Sequence, residues 1–339
     1  MGKVDLINFP DDLFCSQILT RLPLKEAVRF SAVSRKWCRA WTRLPHLNFS
    51  HEFLNSICAT LAKIKAVFEL TRQEMAIGLI NKILMQCVGL ETFELYNCDE
   101  CKSSIHKWLL WISVAGVKCI NLACNRIRME VSESIFSCVT LTSLSLEYLK
   151  MTKVPPLFQG FPQLVTCEFQ RVELSEQAFE VILKLCHLLQ SLTVIHCVLP
   201  STLRIISSSL KRLVIRHTDG EICSMEANCP RLEIIKIIGF HSWRMANVYL
   251  HLCVHLETKV LLLKYFETVK LLKKTTCLHA ASFSCVKDLA DSTLTLPNLK
   301  TFILNMRSSD RNAVLWFSCV LKSAPLENSH NQHRSQPSS

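Results

Sequence analysis

Eighteen cysteines and twelve histidines are the residues of this chain whose types could hold a metal or activate a thiolate. Cys98 and Cys101 stand as Cys-x-x-Cys, one half of a zinc site. No second Cys-x-x-Cys or His pair follows at the spacing a zinc module needs, so no metal is expected there. Cys186–His187 and His196–Cys197 are sequence neighbours. Neighbouring side chains on a strand or helix diverge, so neither makes a catalytic pair. The chain has no Gly-rich phosphate loop, no G-x-S-x-G and no His/Glu metal motif for a helix. The expectation is no catalytic residue, no cofactor and no enzyme.

The cysteines lie singly within apolar segments, as at Cys138, Cys186 and Cys253, where they act as small hydrophobes. The opening MGKVDLINFPDDLF is broken by charges and proline, unlike a signal peptide. Both observations lead to the expectation of a reducing compartment, the nucleus or the cytoplasm. No apolar run reaches the roughly 18 residues a membrane span needs, so no membrane partner is expected. The formal charge of +11 is dispersed rather than gathered in a block, which argues for a solvated basic surface and against nucleic acid.

A spacing of L-x-x-L-x-L recurs from residue 90 onward. It reads Leu90–Phe93–Leu95, Val117–Ile120–Leu122, Leu141–Leu144–Leu146, Leu164–Cys167–Phe169 and Leu189–Leu192–Val194. It continues through Leu210–Leu213–Ile215, Leu232–Ile235–Ile237, Leu278–Ala281–Phe283 and Leu299–Phe302–Leu304. Starts are 21 to 27 residues apart, apart from a gap of 46 after Leu232, where Leu256 and Lys259 suggest a degenerate unit. Apolar residues at positions 4 and 6 make a short strand with one buried face. Three residues further on, Cys98, Asn125 and Cys197 have the chemistry to close the turn, whereas Leu149, Val172, Thr218 and Phe240 do not. Helical returning limbs are expected at 175–188 with Ser175 as cap, at 105–114, and at 311–321 after Asp310. Pro162, Pro230 and Pro297 each precede a repeat and start it extended. One such unit cannot bury its face alone. Stacked units can, and form a solenoid with a parallel, strand-lined concave side that binds by shape.

Ahead of the repeats, residues 9–41 read as three short helices, each too short to stand alone. Pro10, Asp11 and Asp12 suit a helix start, Pro23 ends the first helix, Leu24–Phe30 restarts it, and Ser34 caps a third carrying Trp37, Trp41 and Leu44. The stretch FPDDLFCSQILTRLPLKEAVRFSAVSRKWCRAWTRLPHLNF resembles the F-box. Phe9-Pro10, Ile18-Leu19-x-x-Leu22-Pro23, Val33-Ser34-Arg35-Lys36-Trp37 and Leu44-Pro45-x-Leu47-x-Phe49 carry the likeness, and Cys38 departs from it. SSIHKWLLWISVAGVKCINL and LPNLKTFILNMRSSDRNAVLWFSCVLKSAP resemble segments of the plant F-box/LRR group whose members often end in an FBD domain.

The resemblance implies an F-box at 1–50, a helical linker or cap at 51–89, and leucine-rich repeats at 90–327 with a shortened FBD-like end. A disordered tail is expected at 328–339, where no apolar position follows Leu326. It implies a substrate receptor of a Skp–cullin–F-box ubiquitin ligase, with a Skp-family adaptor, a cullin–RING partner and an unknown protein target. The implied adaptor contacts are Pro10, Ile18, Leu19, Leu22, Pro23, Val33 and Trp37; the competing reading is that they fill the three-helix core. The rival function is a non-catalytic repeat scaffold that assembles a ligase weakly or not at all.

Positions 3, 5 and 7 of each strand point away from the core. They run from Glu94, Glu147 and Glu168 early in the chain to Arg212, Arg216 and Lys236 later. The change of sign suggests that Arg212, Arg216 and Lys236 meet an acidic or phosphorylated target segment. The competing reading is a solvated face with chance charges.

Overall fold

The computed structural model describes residues 21–31, 39–56, 72–96, 101–125, 127–218, 224–229, 231–240, 248–253, 260–266, 269–274 and 301–306. The backbone falls into two compact units, one of residues 1–150 with 154–164, the other of 151–153 with 165–339.

The first unit opens with helix α1 (Leu24–Ser31). Glu26 and Ala27 donate their backbone N–H groups to the Pro23 carbonyl, so proline begins this helix. Leu24 and Ala27 are buried, and Glu26 pairs with Arg29 on the solvent side. A 3-10 turn follows at Ala40–Arg43, and Leu44 is already extended. The expected third helix therefore stops short of Leu44; its residues 34–38 lie outside the described residues, as do 9–20 of the expected first helix.

Strand β1 (His46–Phe49) comes next. It pairs in parallel with β2 (Thr92–Tyr96), Leu47 opposite Phe93 and Phe49 opposite Leu95. Strands β3 (Cys119–Ala123) and β5 (Ser143–Glu147) continue the run in the same register. Among the described residues the first strand of this sheet is thus β1, inside the segment 1–50 expected as the F-box and ahead of the repeats expected from residue 90. Leu44–Leu47–Phe49 is itself an L-x-x-L-x-L unit. Positions 1, 4 and 6 of all four units are 2% exposed or less. Phe49 meets Phe93 with ring centroids 5.9 Å apart.

Residues 51–56 are helical, and helix α2 (Arg72–Leu84) forms the return between β1 and β2. Helix α3 (Lys102–Ala115) follows β2 and buries Ile105, Trp108, Leu109 and Ile112, spaced to one face as the sequence predicts. Its Trp108 indole donates to Asn81 Oδ1 of α2 at 2.6 Å. Gly116 ends α3 at φ 75°, a conformation a side chain would strain. Strand β4 (Met129–Glu130) and β6 (Leu149–Met151) pair in parallel at the turns after β3 and β5.

In the second unit, β7 (Thr166–Gln170), β9 (Ser191–Ile195) and β11 (Arg212–Thr218) run in parallel with matched core positions. Strand β8 (Glu173–Leu174) leads to helix α4 (Glu176–Leu185), whose Ser175 hydroxyl accepts the Ala178 N–H at 3.1 Å, as the expected N-cap. After β9 the return is a strand, β10 (Thr202–Ile206), which pairs with β12 (Ser224–Asn228) behind β11. The starts at 189, 210 and 232 are only 21 and 22 residues apart. An extended return covers about 3.3 Å per residue against 1.5 Å for a helix, so a short repeat closes with a strand.

The run continues through β13 (Ile234–Phe240), β15 (Val260–Phe266) and β17 (Thr301–Met306). Behind it lie β14 (Val248–Cys253) and β16 (Val269–Lys274). Leu261 and Leu263 of β15 stand opposite Ile235 and Ile237. The unit in the long gap is therefore phased two residues later than Leu256 and Lys259 suggest. Phe302 and Leu304 hold the expected positions in β17, directly beside β15. The repeat expected at Leu278–Phe283 and the helix expected at 311–321 lie outside the described residues.

Candidate functional site: the outward strand face and the opening segment

Side chains at positions 3, 5 and 7 alternate with the buried ones and face outward. In the first unit they form a ladder of internal hydrogen bonds. His46 Nδ1 and the Thr92 hydroxyl are 2.9 Å apart, and Asn48 Nδ2 donates to Glu94 Oε2 at 2.5 Å. Asn121 Nδ2 donates to the Tyr96 hydroxyl at 3.4 Å. Burial pushes the Tyr96 phenol up, the nearby charges of Glu94 and Glu147 add to it, and the Asn121 bond opposes it. Glu94, on the acidic part of the face, is thus already bonded within the sheet. His46 and Asn48 belong to it, although the sequence reading placed them at the F-box exit.

At the strand entry, Lys118 Nζ donates to Glu91 Oε1 at 2.6 Å. The bond holds the Glu91 carboxyl below its usual range and lifts Lys118 above its own. Both groups are exposed, so water and salt screen the pair and its weight in stability is small.

The second unit is different. Arg212 is exposed, and Arg216 and Lys236 are half-buried. In the register Lys236 stands opposite Val214, which lies between the two arginines on β11. The three expected target-binding residues therefore share one patch. Val214 occupies an outward position, yet is only 2% exposed, so the patch has an apolar floor. Arg216 Nε is buried without a hydrogen-bond partner.

Turn closure rests on the cysteine the sequence singled out. Cys197 Sγ accepts the Val172 N–H at 3.4 Å and donates to the Phe169 carbonyl at 3.3 Å, joining one coil to the preceding one. Its neighbour His196 is half-exposed, and Cys186 is buried beside an exposed His187, so neither pair converges. Cys101 is buried at the start of α3, while Cys98 lies outside the described residues. Among the described residues no group of three His, Cys, Asp or Glu is placed to hold a metal. No helix among them is long and apolar enough to cross a membrane.

Of the expected adaptor contacts, Leu22 is half-buried and Pro23 exposed, directly ahead of α1. Pro10, Ile18, Leu19, Val33 and Trp37 lie outside the described residues.

Comparison with known proteins bears on both regions. The sequence-family model described as F-box domain matches residues 6–49. The model for the LRR repeats of FBD-associated F-box protein At5g56370 matches residues 105–328. Among relatives, the chain is 26% identical to F-box/FBD/LRR-repeat protein At1g13570 of Arabidopsis thaliana, over 69% of this chain and 53% of that protein. It is 23% identical to F-box/LRR-repeat protein 13 of the same plant, over 69% of this chain and 52% of that one. With F-box/LRR-repeat protein At3g26922 it shares 27% over 70% of this chain and 76% of the relative. The chain spans about half the length of the first two. None of these names carries an enzymatic activity.

Proposed function

We infer, from the premise that the chain belongs to the FBD-associated F-box LRR family, that it is a substrate-recognition subunit of a Skp–cullin–F-box ubiquitin ligase. The observation that carries this reading is the joining, in one chain, of an F-box match at 6–49 to a repeat match at 105–328. F-box domains generally bind Skp-type adaptors, and stacked repeats are binding surfaces. The segment around Pro10, Ile18, Leu19, Leu22, Pro23, Val33 and Trp37 docks the adaptor, and the outward strand face holds a protein target. The chain performs no bond chemistry. It raises the local concentration of a target lysine beside the charged ubiquitin carrier. It acts in the nucleus or the cytoplasm; a fluorescent fusion excluded from both would contradict that placement.

The test is capture of a Skp-family adaptor and cullin by the full-length chain, with a Pro10→Ala/Trp37→Ala double variant as control. A buried aromatic anchor is commonly worth about 2 kcal/mol or more, roughly thirtyfold in affinity. Wild-type chain should capture the adaptor and the variant should lose it. Failure of the wild type to bind any Skp-family adaptor would leave the scaffold reading in its place.

A further inference from the structure

We propose that Arg212, Arg216 and Lys236 form an oxyanion-recognition surface that takes an extended, acidic or phosphorylated segment of the partner protein, with two anions four residues apart. The proposal rests on the receptor reading for its context, but its geometry is independent of the F-box.

Three observations lead to it. The first is unpaired charge. None of the three makes an ion pair or side-chain hydrogen bond among the described residues. The register neighbours of Arg212, Val214 and Arg216 on β9 are Ser191, Thr193 and Ile195, and on β13 Ile234, Lys236 and Ile238, so among the described residues no carboxylate stands in register beside the three outward positions. The nearest outward-facing carboxylate in register is Glu168 on β7, two strands away, or roughly 10 Å at the usual strand spacing. In the first unit, by contrast, Glu94 is bonded by Asn48.

The second is a donor without an acceptor. Among the described residues Arg216 Nε is buried and has no hydrogen-bond partner, a state that is costly unless an acceptor fills it. Guanidinium groups meet carboxylates and phosphates through paired N–H bonds, so an oxyanion supplies the acceptor this position lacks.

The third is spacing. Arg212 and Arg216 are four residues apart on one strand, about 13 Å, with Lys236 beside the midpoint on the next strand. A partner chain lying extended along β11 advances at the same rate per residue. Two anions four residues apart then meet both arginines, while its backbone crosses the Val214 floor near the Ser191 and Thr193 hydroxyls.

The probe is a labelled ten-residue peptide with two phosphoserines separated by three alanines, titrated with the full-length chain by fluorescence anisotropy. A second peptide carries glutamates at the same positions, a third has serines, and a fourth has the phosphoserines separated by one residue. The expected order is phosphoserine pair at four-residue spacing, then glutamate, with the serine peptide unbound; the closer pair is at least fivefold weaker than the wider one. Arg212→Gln/Arg216→Gln should weaken the first peptide at least tenfold, and the wild-type complex should weaken by a similar factor between 50 and 300 mM KCl. A glutamate peptide that binds as tightly as the phosphopeptide assigns the site to acidic segments and leaves the proposal standing. Equal binding of the serine peptide, indifference to spacing, or no binding at all would overturn it. Adaptor capture by the same protein keeps the two readings apart. A chain that captures adaptor but not peptide removes only this surface, and the reverse removes only the ligase role.

Discussion

At the scale of single residues, the thiols serve structure. Burial pushes Cys87 up to about 11 and Cys138 up to about 12, and Cys167, close to Cys186 and Cys197, is raised as well. Protonated thiols are poor nucleophiles, in keeping with the absence of a convergent Cys–His pair among the described residues. The folded protein holds these protons more tightly than the unfolded chain, whose cysteines titrate near 9. The stabilisation is complete below that value and is lost as pH rises toward 11–12. Urea midpoints should therefore fall from pH 8 to pH 10.5, with a shallower fall in Cys138→Ala, and a midpoint constant over that range would contradict the account. The sequence made much of this legible. Isolated cysteines within apolar runs read as core, and Cys197 read as a turn closer. The buried state of Val214 at an outward position was not legible, because alternation along β11 alone assigns it to the solvent side.

At the scale of elements, the residue after the strand is a weak point in three of the described repeats. Tyr148, Arg171 and His196 follow β5, β7 and β9 and take φ values of 56°, 52° and 51°. In the second unit this left-handed turn aims the N–H groups along the stack. Arg171 donates to the Ile195 carbonyl and His196 to that of Arg216, both at 2.8 Å. The bonds hold a conformation that costs a non-glycine residue about 1–2 kcal/mol. Arg171→Gly should leave thermal stability within a few degrees of wild type, whereas Arg171→Val should lower it clearly, since a β-branched residue resists this region most. A Val variant as stable as the Gly variant would show that the turn has another conformation open to it. Helices α3 and α4 were legible from their apolar spacing and, for α4, its serine cap. The phase of β15 was not. Val260-Leu261-Leu262-Leu263 is apolar throughout, so period-two alternation has nothing to grip, and only pairing with β13 sets which leucines align with the core positions.

At the scale of the molecule, the informative feature is β1. The sequence reading separated an F-box of 1–50 from repeats starting at 90, because Leu44–Leu47–Phe49 fitted the F-box exit as well as the repeat spacing. In the structure these residues pair with β2, and Phe49 is packed between Phe53 and Phe93. A fragment ending at residue 50 would carry Leu47 and Phe49, both fully buried in the whole chain, on an unpaired strand. Such a fragment should aggregate or bind hydrophobic dye, while a piece extended to residue 164 should not. Monomeric, dye-silent behaviour of the short fragment would mean that β1 is dispensable to the opening segment.

On the proposed receptor role, a tether of loose chain would let a bound protein swing through many angles, so that whichever surface lysine drifted past the ubiquitin carrier would be used. The 3-10 turn at Ala40–Arg43 runs almost directly into β1, and Val88 donates its N–H to the Thr42 carbonyl at 2.8 Å, pinning the junction from the side. The entry into the sheet is thereby fixed from two sides, and chain inserted after Leu44 would loosen the hold of β1 on what precedes it; on the proposed receptor role, the pattern of modified lysines on a target would broaden accordingly.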